Sequence, residues 1–254
     1  CGGANIVNHM YAKESKDVSM AVCDMDASVI KNSKVVNKLQ LGNDGLGAGN
    51  KLSVAQREAE KKIRAIRSLL DEKSKVIFIV TCLGGGCGTG AAPIIARESR
   101  NSGTITIGVA TIPFEFEGNA KFMQALDGVH DLIRNTDAVF LLGNQYIIRH
   151  HPELPMNMAF AKADELMSSV IKSIIDCLES REATQKTVRE NYQSHLGNNL
   201  YSFKIMTVQE IYATRAIKEI ELEILTIYFD NERRGTHDEK EVFAVRKLLG
   251  IRKK

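Results

Sequence analysis

LGGGCGTGAAP, residues 83–93, is the stretch on which the reading of this chain turns. It follows VIFIVT, a β-branched apolar run over residues 76–81, and leads into a helical stretch, so it joins a strand to a helix. Five glycines within seven residues free successive amides from Cβ interference and let their N–H groups converge on one point. The following helix N-terminus adds partial positive charge. A plain chain reversal needs one or two glycines, so this composition predicts a phosphate-binding loop. Thr89 offers a further hydroxyl donor, and Pro93 is expected in the first helical turn, where a missing N–H costs little. Cys87, close to a helix N-terminus, is expected to be the most reactive thiol of the chain. A Gly88→Val substitution is expected to abolish phosphate binding and to spare the fold. Neither GK[ST] nor GxGxxG spacing is present, which separates this loop from the common nucleotide-binding motifs and argues against a dinucleotide-dependent oxidoreductase.

Working outward, VSMAVCDMD (18–26), TITIGVATIPF (104–114) and DAVFLLGN (137–144) repeat the pattern of a short apolar strand ending in a loop. Helical periodicity runs through residues 54–70, 91–100 and 121–134. A longer helix is expected over 158–178, with Leu166, Val170, Ile174, Ile175 and Leu178 on one face. Strand and helix alternate, which predicts an α/β fold: a doubly wound, mostly parallel sheet flanked by helices, with ligands at the carboxyl ends of its strands. Beyond residue 179 the chain turns polar and loses its period. The domain boundary is placed there, with 1–178 a nucleotide-binding domain and 179–254 a divergent C-terminal segment.

The bulk properties narrow the function only slightly. The 254 residues carry 34 basic and 31 acidic side chains, net +3, and nothing in that balance calls for nucleic acid or an anionic membrane. Five scattered cysteines, Cys1, Cys23, Cys82, Cys87 and Cys177, lack zinc-site spacing and read as reduced thiols of a cytoplasmic protein. No apolar run reaches the roughly 18 residues needed to span a bilayer. His150 and His151 precede Pro152 and read as a polar turn, since adjacent histidines point apart and no third metal ligand is evident. The chain opens on Cys1-Gly2-Gly3 with no strand ahead of it, so its natural beginning is expected to be missing.

GGGCGTGAAP resembles the GGGTGTG signature of the tubulin/FtsZ family, with Cys87 at its first threonine. Further likenesses follow in family order. CGGANIVNHM (1–10) resembles the first nucleotide loop, CDMDASVIKNSK (23–34) the second strand and loop, and GLGAGN (45–50) the third loop. IPFEFEGNAKFMQAL (112–126) is similar to the ribose loop, and MAFAKADELMSSVIKSI (158–174) to the start of the central helix.

The resemblance implies a guanine-nucleotide-binding protein, with GTP or GDP as ligand, Mg2+ accompanying GTP, and filaments formed with itself or an FtsZ homologue. It also implies a cytoplasmic place at the division site, with division-site proteins as further partners and no direct membrane insertion. Gly2, Gly3 and Asn5 would approach the diphosphate, with Asp26 in the second loop. Gly47, Ala48 and Gly49 would wrap the terminal phosphate, and Gly85, Gly86, Cys87, Gly88, Thr89 and Gly90 would cradle the phosphates. Glu117 would bond the ribose, with Lys121 replacing a family arginine. Asn144, Phe160 and Asp164 would read the base. A carboxylate suits the N1–H and 2-amino donors of guanine, which adenine lacks, and an aromatic face suits a purine.

Ala4, His9, Asp24 and Met25 depart from the family pattern. The acidic loop that follows the central helix in the family is replaced by SREATQKTV (180–188), which carries one acid, Glu182. Two roles follow: a filament-forming cell-division GTPase, or a non-hydrolysing GTP-binding partner that joins or caps filaments of a complete homologue.

Overall fold

The computed structural model describes residues 2–13, 18–70 and 74–179. Its first compact unit is Cys1–Ile175. The C-terminal segment, including residues 180–188 and the tail beyond them, lies outside the described residues.

Among the described residues, five strands form two parallel sheets. Strands β1 (Ala21–Asp24) and β2 (Asn37–Gln40) pair in one, while β3 (Val76–Cys82), β4 (Ile105–Ile112) and β5 (Ala138–Gly143) pair in the order β3-β4-β5. Strand β4 is buried at every position, which explains why its sequence is apolar or small throughout rather than alternating. The helices are α1 (Gly2–Ala12), α2 (Ala27–Asn32), α3 (Leu52–Lys61), α4 (Ile63–Leu69), α5 (Gly86–Asn101), α6 (Asn119–Asn135), α7 (Asn144–His150) and α8 (Met156–Glu179). A short 3-10 turn spans Glu115–Glu117.

Four sequence expectations change here. The first-loop motif is not a loop, because residues 2–12 are helical from Gly2 onward. Residues 54–70 do not form one helix but break at Lys62, which lies outside helical geometry at φ −99°, ψ 13°. The break lets the small face of α3, Ala55 and Ala59, and Ile66 of α4 enter the same core as Met25, Leu41 and Ile94. Helix α5 begins at Gly86 rather than Ala91, which puts Pro93 in the helix interior instead of its first turn. His150 ends helix α7, its ring edge-on to Tyr146 at 3.9 Å, so it is not part of a free polar turn.

Helix α8 is amphipathic, burying Ala159, Ala163, Leu166, Met167, Val170 and Ile171. Helix α5 is anchored on its far side by charge. The buried Glu98 carboxylate accepts from Arg67 of α4 at 2.7 Å and from Arg97 at 3.1 Å, while Arg97 forks onto Glu60 of α3 at 2.9 and 3.1 Å. A buried carboxylate so paired fixes three helices relative to one another, because removing any partner strands a charge.

Candidate functional site

Two helices begin at the carboxyl end of β3. A Cβ on Gly3 would stand 2.6 Å from the Val80 carbonyl oxygen, and one on Gly2 would collide with the Cys82 sulfur, so only glycine lets the start of α1 lie against the strand. Asn5, in the next turn, is exposed. Helix α5 starts beside it with Gly85 as an N-cap that carries no capping side chain. Its first intrahelical bond runs from Thr89 N to the Gly85 carbonyl at 3.1 Å, which leaves the preceding amides without helical acceptors.

The glycines of the motif divide by role. Gly84 adopts φ +94°, and its N–H donates to Oγ1 of the buried Thr89 at 2.8 Å, so Thr89 shapes the turn from inside. A Cβ on Gly86 would meet Lys51 N at 2.8 Å, one on Gly88 the Cys82 carbonyl at 2.5 Å, and one on Gly90 the Leu52 carbonyl at 2.7 Å. These three allow α5 to press against its neighbours. Gly85 alone in the motif is exposed, and a Cβ on it would meet no atom within 4 Å, so this position faces open space. The expectation that a side chain at Gly88 would block phosphate and spare the fold is therefore corrected, because its Cβ would enter the sheet.

The loop before α3 closes this region from the side. Gly45, Gly47 and Gly49 have φ of 68°, 78° and 55°, values that disfavour other residues, and Ala48 lies against Gly86. Gln124 of α6 ties the two loops, donating to the Gly84 carbonyl at 3.2 Å and to Asn50 Oδ1 at 3.4 Å.

The acids and thiols beneath the loop behave differently from expectation. Burial first, and the adjacent Asp24 carboxylate second, push the Cys87 thiol up to about 12, so desolvation outweighs the helix N-terminus and Cys87 is not activated. Cys23 is likewise raised to about 12 by burial and then by Asp24. Asp24 is itself buried, with Oδ1 accepting from Asp26 N at 3.1 Å. Asp26 caps α2, accepting from the hydroxyl and amide of Ser28 at 2.6 and 2.8 Å, and these bonds hold its carboxyl below the usual range.

At the other end, Glu117 and Lys121 pair at 3.2 Å, and Glu117 Oε1 also accepts from Phe114 N at 3.0 Å. Phe160, on α8, is 40% exposed and packs edge-on to the buried Phe114 at 4.9 Å. One turn further on, burial raises the Asp164 carboxyl to about 6. Burial lifts the Cys82 thiol to about 11 against a hydrogen bond to Thr111, and the charges of Asp164 and Glu117 push the same way as burial. Asn144 opens α7 buried, with its Oδ1 lacking a hydrogen-bond partner. Burial lowers the His150 pKa, with His151 adding to it. Among the described residues no group of three His, Cys, Asp or Glu could hold a metal, and no helix is long and apolar enough to cross a membrane.

The family model for the GTPase domain of the tubulin/FtsZ family matches residues 1–151, more than half of the chain. The chain belongs to the tubulin/FtsZ family. It is 39% identical over 181 residues to the cell division protein FtsZ of Porphyromonas gingivalis, covering 70% of this chain and 40% of that protein. It is 37% identical to that of Aquifex aeolicus, covering 68% and 48%. An empty FtsZ dimer from M. jannaschii superposes with a TM-score of 0.68 at 26% identity, covering 76% of this chain and 58% of that one. The chain thus spans less than half the length of these curated relatives.

For a tubulin/FtsZ chain, the fold brings Gly2, Gly3 and Gly85 to the carboxyl end of β3, with Ala48 against Gly86. Gln124, Phe114 and Phe116 carry no signal of their own in the sequence, and Asp24 stands out there only as a departure from the family pattern. Asp24 and Gln124 act through burial and a loop-to-loop bond, which periodicity does not register.

Proposed function

We propose that the chain binds GTP and GDP at the carboxyl edge of β3-β4-β5 and is an FtsZ-type cell-division protein, cytoplasmic and recruited to the division site, that assembles with itself or with a complete homologue. The observation that carries this reading is the pair of helix N-termini, from α1 and α5, abutting one strand end through glycines. That arrangement concentrates unpaired amides and positive dipole where a diphosphate would sit. The base end adds a carboxylate and a half-exposed phenylalanine one turn apart on α8, Phe160 and Asp164. Asn144, Glu117 and Lys121 complete the proposed base and ribose contacts. With no protein cage of three ligands among the described residues, Mg2+ would enter on the phosphates of GTP and keep most of its waters.

Calorimetric titration should show GDP bound far more tightly than ADP, with that preference lost in Asp164→Ala; equal affinity for the two nucleotides in the unaltered chain would refute the guanine assignment. The raised Asp164 carboxyl adds a pH signature. Guanine needs the carboxylate, so binding expels a proton, and GDP affinity should fall by up to about tenfold per unit as pH drops below about 6. For stability the sign is opposite: between the unfolded value near 3.8 and the folded value near 6, the apo chain loses stability as pH rises. The terminal phosphate of GDP titrates near the same pH, so Asp164→Asn, in which this dependence is absent, is the reference.

A second reading, a non-hydrolysing partner that joins or caps filaments, rests on residues 180–188, whose single acid is Glu182. Phosphate release, discussed below, separates it from the first.

A further inference from the structure

Phe116 lies in the 3-10 turn with 49% of its surface exposed, so its ring adds little to the hydrophobic stability of the fold. Its geometry is nonetheless specific. It stacks on Phe114 with ring centroids 5.0 Å apart and planes 16° from parallel, and it meets Phe160 at 6.4 Å and 83°. Phe114 meets Phe160 at 4.9 Å and 80°. Two parallel rings therefore abut a third at a right angle, the edge-to-face arrangement that aromatic quadrupoles favour.

We propose that Phe116 is a positioning residue for base recognition: together with Phe114 it holds the ring plane of Phe160 and so presets the face on which guanine stacks. The inference rests on the guanine-binding reading above. Phe160 is 40% exposed, and the terminal torsion of a phenylalanine is broad unless neighbours confine it. The confining neighbours are Phe114, which is buried, and Phe116, which covers Phe114 from the solvent side. The same turn sets the proposed ribose acid, since Phe114 donates its N–H to Glu117 Oε1 at 3.0 Å and its carbonyl accepts from Glu117 N at 3.0 Å. Ring platform and ribose acid are thus built on one short segment. Fixing a side chain before binding lowers the entropic cost of ordering it in the complex, which is worth about five- to tenfold in affinity for one such ring.

The test compares GDP affinity by calorimetry and thermal melting by circular dichroism for the full chain, Phe116→Leu, Phe116→Tyr, Phe160→Ala and the Phe116→Leu/Phe160→Ala double variant. Leucine keeps apolar bulk and loses the plane, so Phe116→Leu should weaken GDP about five- to tenfold with a melting shift of at most a few degrees. Tyrosine keeps the ring and should keep the affinity. Because Phe116 acts through Phe160, Phe116→Leu should add nothing in the Phe160→Ala background. Unchanged affinity in Phe116→Leu, an additive loss in the double variant, or a loss that only tracks melting would overturn the proposal while leaving guanine binding intact. Absence of GDP binding in the unaltered chain would instead remove the guanine reading, and this proposal with it.

Discussion

Alone, the chain is expected to bind GTP and release phosphate at or near the uncatalysed rate, at concentrations where a complete homologue assembles and hydrolyses. The resemblance implies that water is positioned on the γ-phosphate by acids from the neighbouring subunit's loop, a contribution of general-base and proximity effects worth about 10²–10⁴-fold. Residues 180–188 carry a single acid, Glu182. Mixed with a complete homologue, the chain should present its nucleotide face to that protein's intact loop, so turnover of its GTP should return, while growth at its other face should stall. Phosphate release from the chain, the homologue and the mixture measures this directly. Robust turnover by the chain alone would defeat the expectation and point to Asp230, Glu232, Asp238 and Glu239 as the supply of acids.

The second large effect separates two glycines of one motif. In Gly88→Val the new side chain would begin 2.5 Å from the Cys82 carbonyl oxygen and 2.8 Å from Thr81 Oγ1. The first obstacle is backbone and cannot swing away, so about 3 kcal/mol or more of overpacking is expected, a melting shift of roughly 6–12 °C for a chain of this size. In Gly85→Val the side chain enters open space from an extended φ of −96°, and the poorer N-cap costs about 1 kcal/mol. That variant should stay folded and lose nucleotide affinity by at least about 100-fold, because its side chain stands over the amides at the start of α5. Circular dichroism and calorimetry on the pair give the answer. A folded Gly85→Val chain with full affinity would show that the open face of α5 is not the phosphate site.

Much of this protein is legible in its sequence. The β-branched run ending in LGGGCGTGAAP required a strand, a glycine turn and a helix, since each is set by local periodicity and by which φ values a residue tolerates. The order of the further motifs, from CGGANIVNHM to the start of α8, was enough to indicate the family, and the family match over residues 1–151 agrees. Helices α2 and α7, six and seven residues long, went unread because so few residues establish no period.

What the sequence determined by itself was the inventory of local elements and the chemistry available at the strand ends. What only the tertiary structure decided was which of those groups stand open and which are packed against the sheet. Gly85 and Gly88 are the same residue in the same motif, yet one looks into open space and the other into the Cys82 carbonyl. Cys87 begins a helix, which locally favours thiolate, but burial against Asp24 reverses the direction. Phe116 reads as an isolated phenylalanine until Phe114 and Phe160 are placed around it. In each case the deciding quantity is a distance or a loss of solvent set by how the elements pack, and neither is encoded in the spacing of neighbouring residues.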